Sequence, residues 1–133
     1  MDKMKKELLL KDLSYRIPYR VKIAIPGLWE SRIEIQLLDE IFRGDDGEYR
    51  VNGYGHCIEH IKPYLFPISS MTEEQKEEYC SLQQKVIYNS NKGLINSDVM
   101  EYVNWCYKNH IDINNLIPMG LALDATGKDI YEK

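Results

Sequence analysis

The residues best equipped for chemistry form one short run, His56-Cys57-Ile58-Glu59-His60, and one helical pair, Cys106 and His110. A spacing of four on a helix puts Cys106 and His110 on one face, and Cys57 with His60 would complete a four-ligand zinc set. Two features speak against that set. The paired-cysteine knuckle is missing, and in an extended strand Cys57 and His60 point to opposite faces. The expectation is therefore no bound metal and no cofactor, with Cys106 and His110 as core and core-edge residues. A Cys-His nucleophile pair can be drawn among Cys57, Cys80, Cys106 and the histidines, but no orienting motif surrounds any of them. No catalytic residue is assigned. A small metal-dependent or Cys/His enzyme is kept as the remotest of the functional readings.

Other chemical signatures fail on their spacing. Asp124-Ala125-Thr126-Gly127-Lys128-Asp129 lacks the upstream glycine and the following Ser or Thr of a phosphate-binding loop. Gly53-Tyr54-Gly55 lacks the third glycine of a dinucleotide fingerprint and reads as a bend or bulge. Asp45, Asp46 and Glu48 lack the alternating ligand positions of a calcium loop. A nucleic-acid reading rests on seven basic residues between Lys3 and Lys22, with Tyr19, Arg20 and Lys22 as the candidate contacts, stacking supplied by the tyrosine and charge by the other two. The whole chain opposes it: 17 basic against 21 acidic residues give a net charge of −4.

The elements that must position these residues are legible from periodicity. Leu9, Leu10, Leu13 and Ile17 share one sector of a helix over residues 3–16, which Pro18 stops. Tyr19, Val21, Ile23 and Ile25 then alternate with polar or small residues as a strand over 19–25, closed by Pro26-Gly27. Residues 32–37 repeat the pattern, with Ile33, Ile35 and Leu37 on one face. Gly44-Asp45-Asp46-Gly47 predicts a hairpin turn, and a last short strand is expected around 56–61. An extended linker follows over 62–67. Ser70 with Glu73, and Thr72 with Gln75, offer capping boxes for a helix over 72–88 with a stripe of Tyr79, Leu82 and Val86. Asn89 to Gly93 breaks it. Ser97 or Asp98 is expected to cap a helix to about 109 that buries Val99, Tyr102, Val103, Cys106 and His110. Asp112 caps a further turn that Gly120 ends, before an extended stretch from Leu121 to Leu123.

The fold class that follows is α+β: a small twisted antiparallel sheet of four or five strands, open or barrel-like in curvature, with an N-terminal helix and two or three C-terminal helices. Residues 1–133 are read as one domain, 1–61 as helix plus sheet and 62–133 as a mainly helical portion packed on it. Leu13, Ile23, Ile35, Leu82 and Val103 are the expected core. Hydrophobic residues at 44% and charged residues at 29% describe an ordinary globular chain. Three cysteines, an odd number, argue for reduced thiols and a cytoplasmic setting. No window reaches the ~18 apolar residues of a membrane span.

Lys62-Pro63-Tyr64-Leu65, Pro67 and Ser69-Ser70-Met71-Thr72-Glu73-Glu74, followed by Trp105, Asn109-His110, Asp112, Leu116-Ile117 and Gly120-Leu121-Ala122, resemble small uncharacterised proteins of gut Bacteroidales and of their prophages and mobile elements. The likeness covers roughly the last half of the chain. It implies a bacterial or prophage origin and no activity. With ten tyrosines and two tryptophans, the leading expectation is a non-enzymatic accessory or protein-interaction module whose partner is another protein. Weak nucleic-acid binding is the alternative. The aromatic residues Trp29, Tyr64, Tyr79 and Trp105 are otherwise expected to fill the junction of sheet and helices, and the oligomeric state is left open.

Overall fold

The computed structural model describes residues 2–26, 33–53, 56–90 and 96–131. Helix α1 (Lys3–Arg16) begins where the Asp2 carboxylate accepts the Lys5 backbone N–H at 2.8 Å. It gives way to a 3-10 turn at Ile17–Tyr19, with Pro18 inside that turn. Arg20 follows in the left-handed region, with φ of 59°. This corrects the strand expected from residue 19: the proline geometry and the left-handed Arg20 delay β1 (Lys22–Pro26) by one turn of chain.

β1 pairs antiparallel with β2 (Ile33–Leu37) on one side and with β5 (Lys62–Leu65) on the other. β6 (Leu123–Asp124) joins β5 in parallel, giving a mixed sheet of order β2-β1-β5-β6. β3 (Ile41–Arg43) and β4 (Tyr49–Val51) form a separate hairpin, turned by Gly44 to Gly47 as the sequence predicts. The sheet is thus not purely antiparallel, and among the described residues no closed barrel forms. Two further expectations are corrected. Residues 58–60 are a 3-10 turn rather than a strand, and the expected linker at 62–67 is largely β5, continued by a bridge from Phe66 to Ile111. Lys62 to Leu65 pairs because strands on both sides accept it, a tertiary condition that no local pattern carries.

The main core lies between α1 and one face of the sheet. Leu9 and Leu13 meet Val21, Ile23, Ile25 and Leu65, with Val51, Ile58, Leu116 and Leu121 closing the ends. The other sheet face carries Ala24 and Tyr64, covered by Ala125, Ile130 and Tyr131 of the C-terminal segment. The Tyr131 hydroxyl accepts the Lys22 N–H at 2.9 Å and donates to the Tyr64 carbonyl at 2.7 Å, which clamps that segment across β1 and β5.

Leu13 and Ile23 are fully buried, but Leu82 and Val103 are only half-buried and Ile35 is 51% exposed. The reason for Ile35 is register. Ala24 stands opposite Ile35, whereas the core residues Ile23 and Ile25 stand opposite Gln36 and Glu34. Cross-strand partners share a face, so the apolar side of β2 lies on the face away from α1.

Helices α2 (Glu73–Ser90) and α3 (Asn96–Lys108) pack on each other. The Thr72–Gln75 capping box forms in both directions, at 3.1 and 3.0 Å, while the Ser70 hydroxyl donates to the Pro67 carbonyl instead of capping with Glu73. α3 starts at Asn96, so Ser97 and Asp98 lie inside it rather than before it, and Val99 of its expected buried face is exposed. Asp112 caps as expected, accepting the Leu116 and Ile117 N–H groups at 2.8 and 2.9 Å. The turn at Gly27, the bulge at Tyr54 and Gly55, the helix break at 91–93 and the place of Trp29 lie outside the described residues.

Candidate functional site

The four residues weighed as zinc ligands are dispersed. Cys57 is half-buried beside β4, where Arg50 Nη1 donates to its Sγ at 3.4 Å. His60 ends the 3-10 turn at Ile58–His60 and is exposed. Cys106 is fully buried with Met71 and Ile111, and burial pushes its thiol up to about 11, so it stays protonated at neutral pH. Among the described residues, no three His, Cys, Asp or Glu side chains converge to hold a metal.

His110 leaves α3 in the left-handed region, φ 58°, and turns away from Cys106 to stack on Tyr131 with ring centroids 3.9 Å apart. Burial, then the Arg16 and Lys22 cations, hold its imidazole down at about 4. Nearby, Arg16 and Asp12 form a fully buried ion pair at 2.7 Å. Arg16 Nη2 also donates to the Ile111 carbonyl at 2.8 Å, and Asn114 donates to Asp12 at 2.7 Å. The Arg16 guanidinium lies 4.7 Å from the Tyr107 ring centre, and Tyr107 stacks on Tyr15. In the sequence Arg16 is only one of the seven basic residues between Lys3 and Lys22. This network ties α1 to the chain after α3, and the Asp12–Arg16 pair at its centre is sealed from solvent, which makes it a structural joint rather than a ligand site.

The nucleic-acid candidates do not form a platform. Tyr19 is half-buried in the 3-10 turn and Arg20 is exposed after it. The Lys22 ammonium donates to the Ile130 carbonyl at 2.7 Å and lies over the Tyr131 ring. Phosphate would have to displace that internal contact.

Two surface hollows are lined by described residues. One, of about 300 Å³ between α1 and the hairpin, is crossed by Lys6, whose ammonium is 3.0 Å from Glu48 and 3.5 Å from Glu59. The larger, of about 450 Å³, is the groove between α2 and α3. Glu77, Glu78, Ser81 and Leu82 come from adjacent turns of α2, and Glu101 and Trp105 from one face of α3. Beneath them Tyr79 packs against both Tyr102 and Trp105, with centroids 5.5 and 6.1 Å apart. The Tyr102 hydroxyl donates to that of Tyr79 at 3.0 Å, and burial together with that bond pushes its ionisation up. Trp105 Nε1 donates to Glu78 at 2.7 Å, which orients the indole in the groove. Lys85 offsets part of the acidity, standing 3.1 Å from Glu101 and 3.7 Å from Asp98. The sequence named Tyr79, Leu82 and Trp105 as packing residues and gave Glu77, Glu78 and Glu101 no site role.

No family model, curated protein or solved structure matches this chain. Among the described residues, no helix is long and apolar enough to cross a membrane.

Proposed function

We propose that the chain is a non-enzymatic interaction module, of bacterial or prophage origin and acting in the cytoplasm, whose α2–α3 groove receives a Lys- or Arg-rich segment of a protein partner. The observation that supports this reading is the convergence of Glu77, Glu78 and Glu101 around Leu82 and Trp105. An arginine or lysine stem packs on apolar walls while its charged head meets carboxylates, and an indole adds cation–π attraction. Trp is also the residue type that most often dominates interface energetics. The Tyr79–Tyr102 hydrogen bond and the Glu78–Trp105 bond hold the floor in place before any partner arrives, which lowers the ordering cost of binding. The origin rests on the likeness of Lys62 to Glu74 to Bacteroidales mobile-element proteins, and the cytoplasmic setting on the odd cysteine count.

The test is a calorimetric titration of the full chain with an Arg/Lys-rich peptide, a Glu-rich peptide of equal length, and single-stranded and duplex oligonucleotides. Saturable binding of the cationic peptide alone is expected, with Kd on the order of 10 μM and weakening as salt rises. Glu77→Gln with Glu101→Gln should weaken it about tenfold, through loss of two exposed carboxylates from the groove. Binding of the cationic peptide that ignores those substitutions, or tight binding of nucleic acid in its place, would overturn the reading.

A further inference from the structure

β2 is an edge strand, and its amino acids are unusual for one. Edges are commonly protected by Lys, Pro or a bulge, yet Ile33-Glu34-Ile35-Gln36-Leu37 contains no Lys or Pro, and Ile33 and Ile35 are 64% and 51% exposed. The ladder shows which backbone groups face away from β1. The Leu38 N–H donates to the Val21 carbonyl at 2.9 Å, so Leu38, Gln36 and Glu34 spend their backbone groups on β1. The N–H and C=O groups of Leu37, Ile35 and Ile33 therefore point outward. Asn52 Nδ2 confirms that direction, donating from outside the sheet to the Leu37 carbonyl at 2.7 Å. Among the described residues, no strand pairs with that outer edge.

We infer that β2 is the interface for a second copy of this chain, the two strands pairing antiparallel about a two-fold axis at Ile35. The sequence of the edge is self-complementary in that register. Ile35 meets Ile35 and exchanges two backbone hydrogen bonds, and Ile33 meets Leu37 on either side. On the opposite face each Glu34 meets the partner copy's Gln36, an acceptor against an amide donor. The same two side chains already make that bond within one strand, where Gln36 Nε2 donates to Glu34 at 3.2 Å. Shifting the axis by one residue to Glu34 would set two carboxylates directly opposite, which is destabilising. The Leu37 carbonyl has a second lone pair, so Asn52 need not leave. The product is a continuous eight-stranded sheet in which the isoleucines of β2 cover one another.

Sedimentation equilibrium of the full chain, from about 1 to about 200 μM, reads the association directly. The expected result is a concentration-dependent rise from 15.7 kDa toward twice that mass. Ile35→Lys places two ammonium groups opposite each other at an exposed position, and should weaken association at least tenfold while leaving the circular dichroism spectrum unchanged. Gln36→Lys sets a lysine against the partner copy's Glu34 on both sides of the axis and should tighten association severalfold. A chain that stays at 15.7 kDa throughout, a dimer indifferent to Ile35→Lys, or weakening by Gln36→Lys would each overturn the inference.

Discussion

Protonating His110 should loosen the whole domain, because its imidazole is held neutral where it packs. The ring stacks on Tyr131 at 3.9 Å, and Arg16 and Lys22 both oppose a third positive charge. Its ionisation falls from the usual 6.5 to about 4. Above pH 6.5 folded and unfolded chains both carry neutral imidazole, so the group adds no pH dependence. Between pH 6.5 and 4 only the unfolded chain takes up the proton, so stability falls as pH falls, at about 1.4 kcal/mol per pH unit. The loss approaches about 3 kcal/mol at pH 4, and about 2 kcal/mol once solvent access to the partly exposed ring is counted. His110→Asn removes the titration and suits the left-handed backbone there. Urea unfolding of both proteins at pH 7.5, 6.0, 5.0 and 4.5 isolates the effect, since carboxylates titrate equally in both. The wild-type advantage or deficit should drift toward the variant's favour by about 2 kcal/mol as the pH is lowered. Parallel stability curves would refute the account of His110.

Three further outcomes are expected. Asp12→Ala strands the Arg16 charge, which is fully buried, and should cost about 3–5 kcal/mol by urea unfolding, whereas Asp12→Leu with Arg16→Met should recover most of it. Thr72→Ala deletes the acceptor for the Gln75 N–H and should lower stability by about 1 kcal/mol, read as a fall in Tm. Asp112→Ala leaves the Leu116 and Ile117 N–H groups without their carboxylate and should cost about 2–3 kcal/mol, with faster amide exchange at those two positions.

Much of the architecture was legible in the sequence because it rests on local physics. Helix α1 over Lys3–Arg16, the Gly44 to Gly47 hairpin, the Thr72–Gln75 box and the Asp112 cap each depend on residues within a few positions of one another. The burial of Leu13, Ile23 and Cys106 follows from the same periodicities. Of the groove, Trp105, Tyr79 and Leu82 were visible as apolar positions, but their meeting with Glu77 and Glu101 depends on how two helices cross.

What only the tertiary structure decided are the questions with two locally equivalent answers. Alternation puts Ile33, Ile35 and Leu37 on one face of a strand, but a period of two is symmetric, and only the register with Ala24 selects the face away from α1. Lys62 to Leu65 reads as a linker until β1 and β6 pair with it from either side. Cys106 and His110 share a helical spacing until the chain enters the left-handed region at His110 and the ring turns to Tyr131. The Asp12–Arg16 pair looks like a surface i,i+4 contact in sequence. It becomes the buried joint of the fold because Ile111 and Asn114, about a hundred residues further on, add hydrogen bonds to Arg16 Nη2 and to Asp12 that offset part of the cost of taking the charges out of water.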